Sequence, residues 1–183
     1  MINIEFGTPV FDTKIRSQAA KDTAEYILIN YNSSNKKSSN VSGDNIFDDE
    51  GLTKFKNDEV IPTFKRYCSY FNIDLDKKDY DLRGWVTGYG TNYAMPKHNH
   101  SGSHLSAVFY LLCEETNGGD LVLHDPRTNA NRGYKDEFLN MFQPVRMTPK
   151  TGQVIMFPSF MYHNVETFNG KMRLAMPVDL IMY

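Results

Sequence analysis

The sequence predicts a mainly β fold, a double-stranded β-helix or jelly-roll barrel with N-terminal helices packed on one of its sheets. Three observations lead there. From Tyr80 onward, short runs rich in Val, Ile, Phe and Tyr are separated by clusters of Gly, Asn, Pro and Asp, the mark of an all-β region. The last of these runs sorts its side chains by parity, with Leu174, Met176, Val178 and Leu180 on one side and Arg173, Ala175, Pro177 and Asp179 on the other. Before Tyr80 the apolar residues recur instead at helical spacing.

In chain order, Ile2, Ile4 and Phe6 alternate with polar residues before the Gly7-Thr8-Pro9 turn and predict a short opening strand. Between Thr13 and Asn30, Ile15, Ala19, Ala20, Ala24, Ile27 and Leu28 form one apolar helix face. Asn32 to Asn45 is Ser, Asn and Lys with little to bury, and reads as a surface loop. Phe55, Val60, Ile61, Phe64, Tyr67, Cys68 and Phe71 restore a helical stripe, with Pro62 expected in a first turn, where proline is tolerated. Eight strands are expected after that: Asp81 to Tyr89, Tyr93 to His98, Leu105 to Leu112, Asp120 to His124, Val145 to Thr148, Val154 to Phe157, Asn164 to Phe168 and Arg173 to Met182.

The 183 residues suit one domain, 1–183, with the strand and helices in 1–79 and the barrel core in 80–183. The formal net charge of -2 gives no footprint for a nucleic-acid partner. Cys68 and Cys113 have no CxxC neighbour and read as buried free thiols of a reducing compartment. Met1 to Phe11 lacks the basic start and apolar run of a secretory signal, and the Leu105 to Cys113 stretch is about half the roughly 20 residues that span a bilayer. A cytoplasmic location, away from membranes, is the expectation; oligomeric state leaves no trace in the pattern.

His98 and His100 are separated by one residue, so on a strand both imidazoles project from one face and can reach one metal ion. His163, after the Phe157-Pro158-Ser159 segment, offers a third imidazole from a neighbouring strand. Three neutral nitrogens suit Fe, Zn, Cu or Ni about equally, so they do not name the metal. Arg173 follows His163 by ten residues, at the head of an otherwise apolar strand. A buried guanidinium needs a partner, either an anionic ligand or a carboxylate such as Asp179 or Glu166.

The series His98-Asn-His100, Leu105 to Leu111, Gly118-Gly119, Pro149 to Gly152, Phe157-Pro158, His163-Asn-Val165, Gly170 and Arg173 resembles the Fe(II)/2-oxoglutarate-dependent oxygenase superfamily over about half the chain. Within it, Phe6 to Phe11 and the HxH form resemble a branch in which small virus-encoded members are common; for such a member the expected location is the host cytoplasm. The resemblance implies Fe(II) held by His98 and His163, and 2-oxoglutarate whose distal carboxylate is anchored by Arg173 and met by the Tyr110 hydroxyl. Arginine suits that task because its planar fork donates two parallel hydrogen bonds. It also implies O2 and a primary substrate as reactants, with succinate, CO2 and a hydroxylated C–H bond as products.

The superfamily pattern is HxD, and here His100 stands at the aspartate position. A neutral ligand in place of an anionic one leaves the metal site one charge more positive. His100 itself is the preferred third ligand; Asp120 or Asp125 could supply the carboxylate, or the register could shift so that His100-Ser101-Gly102 matches the HxG of iron halogenases. His104 reads as a polar residue on a strand shoulder. Trp85, Tyr93, Asp125 and Arg127 are the candidate substrate contacts, with strand core for the aromatics and a turn held by an ordinary salt bridge for Arg127 as the plainer readings, and Thr128 to Asp136 is a candidate lid. Two other functions stay open: a cupin-like three-His metalloenzyme that does not use 2-oxoglutarate, for which Arg173 has no role, and a non-catalytic β-barrel binding module.

Overall fold

The alternating and continuous apolar runs form two antiparallel sheets facing each other in a computed structural model that describes residues 7–31, 45–113, 118–127 and 143–183. The strands are β1 Phe11–Lys14, β2 Tyr80–Gly84, β3 Thr87–Tyr89, β4 Tyr93–His98, β5 Leu105–Leu112, β6 Leu121–Leu123, β7 Val145–Met147, β8 Gln153–Pro158, β9 His163–Phe168 and β10 Arg173–Met182. The larger sheet runs β1-β8-β5-β10-β2, with β3 also pairing with β10; the smaller runs β4-β9-β6-β7. This is the two-sheet jelly-roll architecture with helices on one face, as the sequence predicts.

Because β5, β8 and β10 are central, both of their faces are covered, and their sequences read as nearly unbroken apolar runs. Parity then sorts the side chains into two cores. Ala107, Phe109, Leu111, Val154, Met156, Leu174, Met176, Val178 and Leu180 face the helices, where they meet Ala24, Ile27, Phe55, Phe64 and Tyr67. Val108, Tyr110, Ile155, Phe157 and Ala175 face inward and close on Leu121, Leu123, Met161 and Val165 of the smaller-sheet side. The inner core is the one that frames the candidate site.

The helical layer starts later than expected. Thr13 belongs to β1, which pairs with β8 from Phe11↔Met156 to Lys14↔Gln153, and α1 spans Ser17–Asn30. The edge of the larger sheet thus takes residues that their helical spacing had assigned to the helix. The second helical run begins at Thr53 with α2, Thr53–Phe55, passes through a widened π turn at Lys56–Val60, and continues as α3, Ile61–Ser69. Pro62 stands in the first turn of α3, as expected, although the helical run as a whole begins earlier, at Thr53. Lacking an N–H, proline cannot continue the i→i−4 ladder, and the wide turn just before it is where the helix absorbs that break.

The expected strand Asp81 to Tyr89 is broken at Trp85–Val86 into β2 and β3, and His163 lies on β9 rather than before it. The other strand boundaries agree with expectation within a residue. Cys68 is buried and Cys113 half-buried, and neither is in a disulfide. The opening strand at Ile2 to Phe6, the loop as far as Asp44 and the candidate lid lie outside the described residues. No described helix is long and apolar enough to cross a membrane.

Candidate metal centre

The centre begins with a strand pairing. His98, the last residue of β4, stands directly opposite His163, the first residue of β9, while on the other side of β9 His163 pairs with Leu123 of β6. The shared position brings the His98 and His163 ring centroids to 4.3 Å. His100 does not lie on the strand, as the HxH argument assumed. It is two residues past its end, crossing toward the larger sheet, and its N–H donates to the Ser159 carbonyl at 3.1 Å. Its ring still reaches the other two, 5.3 Å from His98 and 5.0 Å from His163. One donor atom from each of the three imidazoles lies within 4.8 Å of the others, and neither Asp120 nor Asp125 belongs to this group.

Hydrogen bonds set which nitrogen faces inward. His98 Nδ1 is 2.8 Å from the Pro96 carbonyl oxygen and His163 Nδ1 is 3.0 Å from that of Met161. A carbonyl oxygen only accepts, so both Nδ1 atoms carry the proton and both Nε2 lone pairs are left for a metal ion. The third partner differs in kind: His100 Nδ1 is 2.7 Å from Asp179 Oδ1. His163 is 3% exposed, and burial pushes its pKa down to about 4, so it is neutral and ligand-competent at neutral pH.

On β10, six residues before Asp179, Arg173 is 1% exposed between the sheets. Its Nη1 donates to the Gly119 carbonyl and its Nη2 to the Gly118 carbonyl at 2.9 Å, while its guanidinium sits 4.8 Å from the Phe168 ring centroid and 6.0 Å from that of Tyr110. Neither carboxylate offered as an ion-pair partner takes that place: Asp179 goes to His100, and Glu166 pairs with Arg146 at 3.0 Å. Arg173 Nε is buried without a hydrogen-bond partner among the described residues. A buried cation with an orphaned donor is what an incoming carboxylate would complete, so the residues present fit 2-oxoglutarate as well as the metal.

The remaining candidates separate. Trp85 packs on the centre, its ring 5.4 Å from His100. Tyr93 is half-buried at the far end of β4, opposite Phe168, with its hydroxyl 3.7 Å from Met95 Sδ. Asp125 and Arg127 follow the end of β6 that pairs with His163 and bond to each other, Arg127 Nη2 to Asp125 Oδ2 at 2.6 Å, which is the salt-bridged turn of the plainer reading. His104 Nδ1 accepts from the Met182 N–H at 3.1 Å, on the shoulder of β10. Two roles were not legible in the sequence. In the sequence Asp179 is only a possible partner for Arg173, and Gly118-Gly119 is a motif without an assigned contact.

Residues 83–179 match the family described as "Putative 2OG-Fe(II) oxygenase". A comparison of the sequence with curated proteins finds no match. Among solved structures, a 2OG-Fe(II) oxygenase family oxidoreductase from Burkholderia pseudomallei is similar at 18% identity and TM-score 0.54, over 72% of this chain; the chain spans only 57% of that protein. A prolyl-4-hydroxylase from Pseudomonas putida is similar at 16% identity and TM-score 0.61, over 94% of this chain and 86% of its own. A prolyl hydroxylase from Trichoplax adhaerens, in complex with a hypoxia inducible factor oxygen degradation domain peptide fragment, is similar at 17% identity and TM-score 0.64, over 96% and 83%. At these identities the likeness is one of fold.

Proposed function

The chain belongs to the 2OG-Fe(II) oxygenase family, and from that premise we propose that its three-histidine centre hydroxylates an unactivated C–H bond of a primary substrate. The cofactors of the family are Fe(II) and 2-oxoglutarate, and with O2 they supply the oxidising power: 2-oxoglutarate, O2 and R–H become succinate, CO2 and R–OH.

The chain's part is positioning. His98, His100 and His163 hold the metal through Nε2, each ring fixed by the acceptor on its Nδ1–H: Pro96, Asp179 and Met161. Arg173 binds the distal carboxylate of 2-oxoglutarate, with Tyr110 beside it. Between these polar ends, Val108, Ile155, Phe157 and Ala175 line the inner face of the larger sheet and keep water out. Trp85 and the Asp125–Arg127 turn form the rim on which the substrate rests. The one domain, 1–183, carries all of this: the helices of 1–79 back the sheet and 80–183 holds the site.

The observation that carries this reading is the buried, orphaned Nε of Arg173 in the same barrel as the three histidines. A three-histidine centre that works without 2-oxoglutarate has no use for it. The test is an anaerobic titration of the apoprotein with Fe(II) and then 2-oxoglutarate, read by the visible charge-transfer band of the chelate. A stoichiometric band is expected. Iron binding without a band would hand the site to the cupin-like reading, and no iron binding at all would leave a barrel without this chemistry.

A further inference from the structure

Of the three Nδ1 acceptors, two are neutral backbone carbonyls and the third is a carboxylate. Asp179 is 7% exposed on the inner face of β10, and its surroundings hold it in a single pose. Ser106 Oγ donates to Oδ1 at 2.7 Å and Ser103 Oγ donates to Oδ2 at 3.1 Å; Ser106 in turn is 2.8 Å from the Ser159 hydroxyl. Since the Ser106 proton is given to Asp179, the His100 Nδ1–H is the donor on the imidazole side. Among the described residues no lysine or arginine pairs with Asp179; its one ion-pair partner is His100.

A buried carboxylate whose partners are hydroxyls and an imidazole lacks the cation that normally offsets its desolvation. The nearest place where positive charge would arrive is the far nitrogen of His100, the proposed metal ligand. We propose that Asp179 is a positioning residue of the metal centre which acts through His100: it fixes the ring and supplies, one imidazole removed from the metal, the negative charge that the ligand at position 100 does not carry. This rests on the three-histidine reading of the preceding subsection. The register supports it, since β10 and β5 place Asp179 directly opposite Ser106. Carboxylate, serine clamp and His100 therefore meet at one rung of the larger sheet, and loss of such an outer partner typically weakens metal binding about 10–100-fold.

The test uses the full chain with Fe(II) under anaerobic conditions. D179N keeps the shape and an acceptor for the His100 N–H but removes the charge. Its Fe(II) affinity should fall about 10–100-fold, its Fe(III)/Fe(II) potential should shift to more positive values, and D179E should recover part of both. Circular dichroism and thermal unfolding check that D179N is folded. If D179N does not fold, wild-type protein loaded with Co(II) provides the second measurement. Its proton NMR spectrum should contain a paramagnetically shifted His100 ring N–H that exchanges slowly with solvent, because the carboxylate holds it. Folded D179N with wild-type affinity and potential, or the absence of that protected N–H, would overturn the proposal. Failure of the wild-type chain to bind Fe(II) would instead overturn the ligand set itself.

Discussion

Arg173 and Asp179 stand on the same inner face of β10, six residues apart, and each is committed to a different part of the barrel: Arg173 to the Gly118 and Gly119 carbonyls, Asp179 to His100. At about 3.3 Å per residue the two lie roughly 20 Å apart along the strand, too far to neutralise each other. Between them Ala175 and Pro177 present no charge. The face therefore has an anion beside the histidine centre and a cation at the opposite end, a polarity that a dianionic cosubstrate can follow from metal to guanidinium.

That polarity makes the two ends separable by mutation. His163→Ala should abolish Fe(II) binding, because it removes the buried neutral imidazole that pairs with His98 across β4 and β9. Arg173→Ala should leave Fe(II) affinity near wild type and weaken 2-oxoglutarate at least about tenfold, since each charge-assisted hydrogen bond is worth about 1.5–3 kcal/mol. Direct metal titration and the chelate band read the two affinities independently. If Arg173→Ala bound 2-oxoglutarate as tightly as wild type, the anchoring role would be wrong.

Gly119 offers a second route to the same end without touching the arginine. Its φ of +75° is disfavoured for residues with a Cβ, and a Cβ built there would come within 2.5 Å of Arg173 Nη2. Gly119→Ala should therefore push the guanidinium off its carbonyl cradle, lowering 2-oxoglutarate affinity while iron still binds, at a stability cost of about 1–2 kcal/mol. Chemical denaturation gives the stability and the chelate titration gives the affinity; a variant with both unchanged would remove Gly119 from the architecture of the anchor.

The order of elements, the parity of β10 and the His98-Asn-His100 spacing are legible because each is a short-range pattern, whereas His163, on another strand, is legible through the resemblance to the oxygenase superfamily. The β1 edge strand was not, since Phe11–Lys14 is a strand only by virtue of its pairing with β8, far away in sequence. Nor was the geometry of His100, whose place depends on the end of a strand and on contacts to Ser159, in the turn after β8, and to Asp179 of β10. Asp179 itself was visible on the right face of β10, yet nothing in its neighbourhood along the chain says whether it meets Arg173 or His100. Tertiary register decides that, and the serines at 103 and 106 were the available hint.

Opposite faces of β5 should likewise respond differently to mutation. Phe109 is fully buried toward the helices, edge-to-face with Phe55 at 5.9 Å between ring centroids, whereas Val108 and Tyr110 point into the barrel. Phe109→Ala should cost about 3–5 kcal/mol of unfolding free energy by opening a cavity under α2. The protein that remains folded should bind Fe(II) as wild type does, which denaturation and metal titration on the same preparation will show. Loss of iron affinity in the folded fraction would mean that the helical layer does more than cover the sheet.

Asp49 ties the end of α1 to the segment that follows, and its charge gives the stability a pH dependence. Its carboxylate accepts from the Tyr31 hydroxyl at 2.6 Å, the Tyr26 hydroxyl at 3.0 Å and the Gly51 N–H at 2.8 Å. The Tyr31 hydrogen bond leads the effects that hold its pKa below the ordinary value of 3.8, against a smaller opposing effect of burial. A depressed folded-state pKa means that the ionised carboxylate stabilises the fold above the unfolded value, and that this contribution is lost as pH falls through the folded value. Asp49→Asn should thus lower the unfolding free energy by about 1 kcal/mol at pH 7, and the gap to wild type should narrow as the pH drops below 3.8. Urea unfolding of both proteins across that range measures the gap directly; a difference that stayed constant with pH would show that the loss comes from the exchange of an acceptor oxygen for an NH2 group at position 49 and not from the carboxylate charge.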